Sequence, residues 1–322
     1  MSAAEAATLP VRALDTLMDR TLAPGYSRIG FEVRRRLPGW PADPQPGALA
    51  GRHVLVTGAS SGLGIGCVEG LARLGAAVHM VVRDEVKGER VRGQIISRVG
   101  DADLRVTRCD LADLDDVRRF ADELDLTSVH ALIHNAGVMP PERTESPQGH
   151  ELSMAVHVLG PVLMTELLRD RLHSGRTVLV SSGGMYAQRL PAGDPEFRLG
   201  EYSPSVAYAR SKRMQVEMLP LLADRWSFDG MVLAGMHPGW ADTPGVRESL
   251  PTFRRLTRPI LRDDRQGADT SVWLAATRPA PPTGRFWHDR VPRPTHLVPA
   301  TRPRADEVAR AWAWLRSATG LD

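Results

Sequence analysis

The sequence contains few cysteines and no long apolar segment. Cys67 and Cys109 are well separated and belong to no Cys-x-x-Cys or Cys/His cluster, which excludes a disulfide framework and a structural zinc site. No stretch approaches the roughly 18 apolar residues of a membrane span. The first twenty residues carry Glu5, Asp15 and Asp19 and lack the apolar core of a signal peptide. These absences predict a reduced, cytoplasmic protein without an integral membrane segment.

An excess of charge of one sign is also missing. The chain has 41 basic and 38 acidic residues among 322, so its net charge of +3 predicts no nucleic-acid partner. Hydrophobic residues make up 42% of the chain and charged residues 25%, which is typical of a globular protein. Lysine is nearly absent, because only Lys87 and Lys212 interrupt a basic set otherwise made of arginine. The position of each lysine is therefore informative.

From residue 51 to residue 322, short β-branched runs alternate with longer amphipathic stretches. This rhythm predicts one α/β domain built on a doubly wound parallel sheet flanked by helices. The predicted strands are His53–Thr57, Ala77–Val82, Leu104–Arg108, Val129–His134, Thr177–Ser181, Met231–Gly235 and a short last one within Gly284–Trp287. The predicted helices begin near Leu63, Glu85, Leu114, Gly149, Val206 and Asp264, and a terminal helix covers Ala305–Ala318.

Residues 1–50 differ from the rest and form an N-terminal appendage. They contain apolar-periodic pieces and end in the Pro/Gly-rich link Pro38–Gly47, which predicts a boundary before the main domain. Arg34–Arg36 lie close in sequence to Phe31 and Trp40. Such a basic and aromatic group either makes peripheral contact with an anionic membrane or belongs to a capping segment with a solvated basic edge.

A glycine-rich turn follows the first predicted strand and begins the next helix. Glycines let a backbone turn sharply and approach a pyrophosphate, and the helix N-terminus offers unpaired N–H donors to the phosphates. The spacing resembles T-G-x-x-x-G-x-G, the signature of the short-chain dehydrogenase/reductase (SDR) family. The resemblance implies a Rossmann-type sheet and a nicotinamide dinucleotide held by Thr57, Gly58, Ser60, Ser61, Gly62, Leu63 and Gly64.

Further motifs of that family follow in the same order along the chain. Cys109-Asp110-Leu111 comes after the third strand, and Asn135-Ala136-Gly137 after the fourth, with His134 where the family's N-N-A-G motif has its first Asn. Tyr208–Lys212 spells Y-x-x-S-K, and Pro238-Gly239 follows the sixth strand. The resemblance implies cofactor contacts from Asp110, Leu111, Asn135, Ala136, Gly137, Tyr208, Lys212, Pro238, Gly239 and Thr243.

Tyr208 and Lys212 are the residues on which the predicted chemistry rests. Four positions apart on a helix, they share one face. A phenol has a reference pKa of about 10, and a neighbouring ammonium together with an oxidised nicotinamide would favour the phenolate. The lysine can also bind ribose hydroxyls. The alternative is that Tyr208 is a core residue and Lys212 a solvated one.

Ser182 matches the family's catalytic serine, with Ser181 as the structural alternative. The interval from Ser182 to Tyr208 is roughly twice the family's common one, which resembles the retinol-dehydrogenase-like branch. Ser182–Tyr186, Met236–Val246 and Phe286–Arg290 are similar to the branch called dehydrogenase/reductase SDR family member 12. Four side chains would suit an apolar ligand or belong to the core: Met185, Tyr186, Trp240 and Leu250.

His157 stands where many family members have an asparagine that holds a water molecule in a proton relay. A neutral imidazole both donates and accepts hydrogen bonds, so His157 is a candidate for the same role. A lone histidine among apolar neighbours is otherwise typical of a core residue with satisfied hydrogen bonds.

Cofactor choice follows from the charge at the end of the second strand. Arg83 occupies the position at which, by resemblance, a cation binds the 2′-phosphate of NADP(H). Asp84 comes one residue late for the acid of an NAD(H) enzyme and is better placed as a helix N-cap. The sequence favours NADP(H), with NAD(H) as the alternative.

Together these features predict an oxidoreductase that transfers hydride between nicotinamide and a carbonyl/alcohol pair. By analogy with the retinol-dehydrogenase-like branch, its small-molecule substrate is a lipophilic aldehyde or ketone. The runner-up is a non-catalytic NADP(H)-binding regulatory or sensor protein. By resemblance, two helices, Gly149–Leu172 and Val206–Ala223, would join copies of the chain into a homodimer or homotetramer.

Overall fold

Eight strands form one sheet in the order β3-β2-β1-β4-β5-β6-β7-β8. The computed structural model describes residues 9–21, 23–243, 245 and 251–321. Strands β1 to β7 are parallel and β8 is antiparallel to β7. This arrangement confirms the predicted doubly wound sheet. The strands are β1 His53–Thr57, β2 Ala77–Val82, β3 Leu104–Arg108, β4 Ala131–His134, β5 Arg176–Val180, β6 Val232–Met236, β7 Arg285–His288 and β8 Val291–Pro292.

Helices cover both faces of the sheet, as a parallel sheet requires. Successive residues of β1 show the two layers, since Val54 and Val56 pack into one apolar cluster and Leu55 into the other. The described helices are α1 Leu9–Arg20, α2 Ala23–Tyr26, α3 Arg28–Arg36, α4 Leu63–Arg73, α5 Glu85–Val99, α6 Leu114–Glu123, α7 Leu152–Met154, α8 Gly160–Leu167, α9 Pro204–Arg225, α10 Pro251–Thr257, α11 Asp264–Ala276 and α12 Ala305–Thr319.

Local capping decides where several helices begin. Asp84 caps α5, as the sequence predicts, because its carboxylate accepts a hydrogen bond from the Lys87 amide. The helix predicted near Gly149 begins at Leu152 instead, since Gly149 has a φ of +80° and Glu151 caps the following turn. A π-helical turn, Ala155–Leu159, joins α7 to α8, just before Gly160 and Pro161.

The N-terminal appendage packs on the main domain through buried ion pairs. Arg34 is only 3% exposed and its guanidinium contacts Asp15 and Asp289, each at 2.7 Å. The Phe31 ring is buried and meets Trp40 edge to face, with 5.7 Å between ring centroids. Of the two alternatives that the sequence left open, the packing of Arg34, Phe31 and Trp40 favours the capping segment. These side chains stabilise that segment.

Within the described part of the chain, no helix combines the length and the hydropathy needed to cross a bilayer.

The terminal helix α12 packs against α8, α9 and the π-helical turn between α7 and α8. Its side chains Ala311 and Leu315 are fully buried there. The chain itself therefore covers part of the surface through which the family resemblance predicts assembly.

Candidate active site

A cleft of about 900 Å³ lies at the carboxyl ends of the strands. The order of the strands reverses between β1 and β4, and ligands of open α/β sheets bind at such switch points. All but two of the residues that the sequence assigns to catalysis or to cofactor binding line this cleft. They are Thr57, Gly58, Ser60, Ser61, Gly62, Leu63, Arg83, Asp110, Leu111, Asn135, Ala136, Gly137, Ser182, Tyr208, Lys212, Pro238, Gly239 and Thr243. The two exceptions are Gly64 and His157.

The glycine-rich turn has the shape needed to hold a pyrophosphate. Gly58 has a φ of +64°, and a Cβ there would lie 2.7 Å from the Cα of Ala136. Gly62 has a φ of +47° and precedes the first turn of α4, whose N-terminus opens toward the cleft. Gly64 does not line the cleft. It faces the turn instead, where a Cβ atom would lie 2.2 Å from the Gly58 carbonyl oxygen. Its small size lets α4 approach the turn.

Thr57 and Asn135 join the ends of β1 and β4 beneath this turn. The Thr57 hydroxyl accepts hydrogen bonds from the Asn135 and Ala136 amides at 3.0 and 3.1 Å. The Asn135 side-chain amide donates to the backbone carbonyls of Thr57 and Gly58. These bonds fix the shape of the cleft floor. They explain why a polar residue stands at the carboxyl end of each of these two buried strands.

The far end of the cleft is basic. Arg83 and Lys87 both line it, and among the described residues neither side chain forms an ion pair. Asp84 also lines this end, but its carboxylate is engaged by the Lys87 amide at 2.9 Å. Two free cations thus remain for an anionic group. Lys87 belongs to none of the family motifs, and the rarity of lysine in this chain is the signal that points to it.

The reactive end of the cleft brings Ser182, Tyr208 and Lys212 together. Lys212 is 2% exposed, its Nζ atom donates to the Val180 carbonyl at 2.8 Å, and it lies 5.7 Å from the centre of the Tyr208 ring. The Ser182 hydroxyl accepts a hydrogen bond from the Gly184 amide at 3.2 Å and also interacts with the Tyr208 hydroxyl, whose pKa it lowers. The alternative of a solvated Lys212 is therefore wrong, because the side chain is enclosed beside the phenol and still has hydrogens free to donate.

Burial governs protonation at the reactive end. Burial raises the pKa of the Tyr208 hydroxyl above 10, and the Ser182 hydrogen bond offsets this in part. Burial also lowers the pKa of Lys212 to about 7. The lowered pKa of Tyr208 that the sequence predicts is absent in the protein alone, because burial penalises the charged phenolate. Tyr208 is a protonated phenol at neutral pH.

Ser181 and His157 support this arrangement from behind. Both serines line the cleft, but Ser181 is buried and its hydroxyl donates to the Lys212 carbonyl at 3.0 Å, whereas Ser182 is half-buried. His157 accepts from the Val138 amide at Nε2, and its Nδ1 lies 2.7 Å from the Ser211 hydroxyl. That hydroxyl donates to the Tyr208 carbonyl. Both nitrogens of His157 are engaged, so neither is free for a relay water.

Apolar side chains line the remaining wall of the reactive end. They are Val138, Met139, Leu152, Val156 and Trp240, and only Trp240 was expected from the sequence. Met185 and Tyr186 are buried in the core, where the Tyr186 hydroxyl donates to the Pro294 carbonyl. Leu250 lies outside the described residues. The pocket wall draws on the loops after β4 and β6, on helix α7 and on the π-helical turn that follows it.

Comparison with known proteins identifies the class. The model of the short chain dehydrogenase family matches residues 52–252. The chain therefore belongs to the short-chain dehydrogenase/reductase family and is an oxidoreductase of the retinol-dehydrogenase-like type.

Individual relatives agree with this class. The chain is 38% identical to human dehydrogenase/reductase SDR family member 12, across 79% of this chain and 81% of the relative. It is 33% identical to human retinol dehydrogenase 12, across 75% and 78%. A crystal structure of an uncharacterised Mycobacterium paratuberculosis protein is 30% identical with a TM-score of 0.69, covering 86% of this chain and 98% of that one. The resemblances seen in the sequence are thereby confirmed.

Proposed function

We propose that this protein is an NADP(H)-dependent reductase of lipophilic aldehydes or ketones, with Ser182, Tyr208 and Lys212 as its catalytic residues. The observation that carries the proposal is one cleft with two chemically different ends. Arg83 and Lys87 provide unpaired cations at one end. The other end joins the Ser182–Tyr208 pair to an apolar wall.

The residues of the cleft fit a nicotinamide dinucleotide. When bound, this cofactor supplies the hydride. Gly58 and Gly62 leave room for the pyrophosphate at the start of α4. Ser182 would donate a hydrogen bond to the substrate oxygen, Tyr208 would donate its proton to that oxygen, and the Lys212 ammonium would stabilise the resulting phenolate and hold ribose hydroxyls.

The protonation of Tyr208 favours reduction. A reductase needs an acid that keeps its proton until negative charge develops on the substrate oxygen. Burial raises the pKa of Tyr208, so the phenol is protonated before the reaction. Oxidation would first require removal of that proton. We therefore propose carbonyl reduction as the favoured direction.

His157 is proposed as a positioning residue in place of the relay role. Its pKa is well below 6.5, first because it is buried and second because of Lys212, so it stays neutral. It connects the Val138 amide to the hydroxyl of Ser211 on α9. The imidazole thus links the π-helical turn to the helix that carries Tyr208.

The pH dependence of reduction should follow Lys212. Its pKa of about 7 means that the ammonium is present below pH 7 and is lost above it. The phenolate formed at Tyr208 then loses its neighbouring cation, so we expect kcat to fall as pH rises through about 7. Lys212→Arg should remove this inflection, whereas His157→Asn should keep it. An inflection that disappears only in His157→Asn would contradict the assignment.

The proposed activity is tested by NADPH oxidation with aliphatic, aromatic, retinoid and steroid carbonyls. A matched pair, benzaldehyde and 4-carboxybenzaldehyde, tests the apolar wall. We expect kcat/KM to be at least about tenfold lower for the acid, because its carboxylate would lose water without gaining a partner. Equal rates for the pair would contradict a lipophilic substrate, and no turnover with any carbonyl would contradict the reductase.

The regulatory alternative has no observation in its favour. A sensor needs cofactor contacts but has no use for a serine next to a half-buried tyrosine and a buried lysine. The named relatives are dehydrogenases or reductases, which also supports an enzyme. A cytoplasmic location stays a prediction from the sequence.

We infer that the chain is a monomer in solution, in place of the homodimer or homotetramer that the family resemblance predicts. Helix α12 covers part of α8 and α9, and the Trp314 ring packs against His150 at 6.4 Å. Another copy would have to displace buried side chains such as Leu315. Light scattering should give 35.2 kDa, the mass of one chain. Twice or four times that mass would contradict the inference.

A further inference from the structure

We propose that the N-terminal segment Ala23–Ser27 is a positioning element of the active site. It holds the two loops that form the reactive end of the cleft, Ser182–Gly184 after β5 and Pro238–Trp240 after β6, which both line the cleft. The segment lies outside residues 52–252, the part that matches the family model. The inference rests on the proposed function, because it concerns how the nicotinamide half of the cofactor is held.

The Tyr26 ring lies against both loops. It is 1% exposed, and its centre lies 4.6 Å from the ring of His237 and 6.4 Å from that of Trp240. On the other side it meets the serine loop at Gly183, where a Cβ atom would lie 2.9 Å from the Tyr26 ring. One aromatic ring therefore sets the separation between the loop that carries Ser182 and the loop after β6.

The backbone of Tyr26 binds the second loop directly. Its carbonyl oxygen accepts a hydrogen bond from the Trp240 amide at 2.7 Å. Gly239 has a φ of +72°, and a Cβ there would lie 2.6 Å from the same oxygen. Only glycine lets the loop come this close. The conformation of the cleft wall at Gly239 thus depends on a residue that precedes the main domain.

Arg262 joins the segment to this loop from beneath. Its guanidinium donates to the Pro238 carbonyl at 3.2 Å and to the Ser27 and Gly25 carbonyls at 3.3 Å each. Its backbone amide also donates to the Trp240 carbonyl at 2.7 Å. A single side chain therefore bonds to both the segment and the loop, and it is almost completely buried.

A buried carboxylate balances the charge of this connection. Asp289 contacts the guanidinium of Arg262 at 2.6 Å and that of Arg34 at 2.7 Å. Arg34 in turn donates to the Gly25 carbonyl at 2.6 Å. If the segment left its place, these buried charges would lose hydrogen-bond partners, which is costly. The segment is therefore a fixed part of the folded enzyme.

The consequence concerns one half of the cofactor. Under the proposed function, the two loops that contact Tyr26 would hold the nicotinamide half near Tyr208. Arg83 and Lys87, which line the other end of the cleft, would hold the adenosine half. Loss of the Tyr26 ring should weaken binding of the nicotinamide half and leave binding of the adenosine half unchanged. General destabilisation of the protein would weaken binding of both halves equally.

The test is Tyr26→Leu, which removes the ring and keeps the site apolar. We expect the Kd of NADP⁺ to rise about tenfold. The Kd of adenosine 2′,5′-bisphosphate, which lacks the nicotinamide half, should stay within about twofold of the wild-type value. Isothermal titration calorimetry on the full-length protein measures both constants.

Phe120→Leu is the matched control. Phe120 on α6 is also 1% exposed, belongs to the same apolar cluster and does not line the cleft. It should lower the thermal midpoint by a similar amount and leave the ratio of the two Kd values unchanged. A ratio unchanged in Tyr26→Leu, or changed equally in Phe120→Leu, would overturn the proposal.

Two further outcomes are decisive. Should Tyr26→Leu fail to fold, Tyr26→Met conserves more of the volume and is judged by the same ratio. A wild-type protein that binds neither ligand would overturn the proposed function and, with it, this inference. Wild-type binding of both ligands with an unchanged ratio in the variant would overturn the inference alone.

Discussion

Tyr208→Phe should lower kcat for carbonyl reduction by about 10³-fold or more, within the range that general acid catalysis contributes. The Tyr208 phenol lines the cleft together with Ser182, which influences its pKa. Phenylalanine keeps the ring and removes the proton that the substrate oxygen needs. Steady-state NADPH oxidation with the best carbonyl substrate measures the effect.

Tyr186→Phe is the matched control for this prediction. Tyr186 is a buried tyrosine whose hydroxyl donates to the Pro294 carbonyl in the core and does not line the cleft. Its loss should cost about 1 kcal/mol of stability and leave kcat near the wild-type value. The Kd of NADPH should be unchanged in both variants. Wild-type turnover in Tyr208→Phe would exclude Tyr208 as the acid.

The double variant Arg83→Ala/Lys87→Ala should weaken NADPH binding by about 100-fold or more. Each hydrogen bond between a charged side chain and a phosphate is worth about 1.5–3 kcal/mol, and both cations line the basic end of the cleft. NADH has no 2′-phosphate, so its Kd should stay within about twofold. Titration of the protein with each dinucleotide gives both constants.

Arg90→Ala controls for the change in net charge, because Arg90 is exposed on the same helix α5 and does not line the cleft. It should alter neither constant by more than about twofold. The single variants show whether Lys87 contributes to NADPH affinity in addition to Arg83. Equal losses of NADPH and NADH affinity in the double variant would contradict a 2′-phosphate site and leave cofactor preference to another part of the cleft.

The sequence by itself determined the order of strands and helices along the chain and the strand ends at which the motifs lie. Both are local properties. A run of buried β-branched residues such as His53–Thr57 specifies a strand, and the glycines that follow specify a tight turn before a helix. Because parallel strands bring their carboxyl ends to one edge, Thr57, Ser182 and Gly239 had to meet in one cleft.

Local pattern could not determine protonation or the partners of buried polar groups. The spacing of Tyr208 and Lys212 predicted that they meet, but burial decided that the phenol keeps its proton and that the pKa of Lys212 falls to about 7. His157 matched a relay position, yet the Val138 amide and Ser211 engage both of its nitrogens. Desolvation and hydrogen bonding depend on everything that surrounds a group.

Only the tertiary structure decided what the two ends of the chain do. Tyr26 and Leu315 are each more than a hundred residues from Ser182, and the segments around them carry no motif. The fold places Tyr26 against the loops of the active site and Leu315 over α8 and α9. Such contacts join residues remote in sequence, so no periodicity or spacing within a segment contains them. They exist because burying these side chains completes a core that the sheet and its flanking helices leave open.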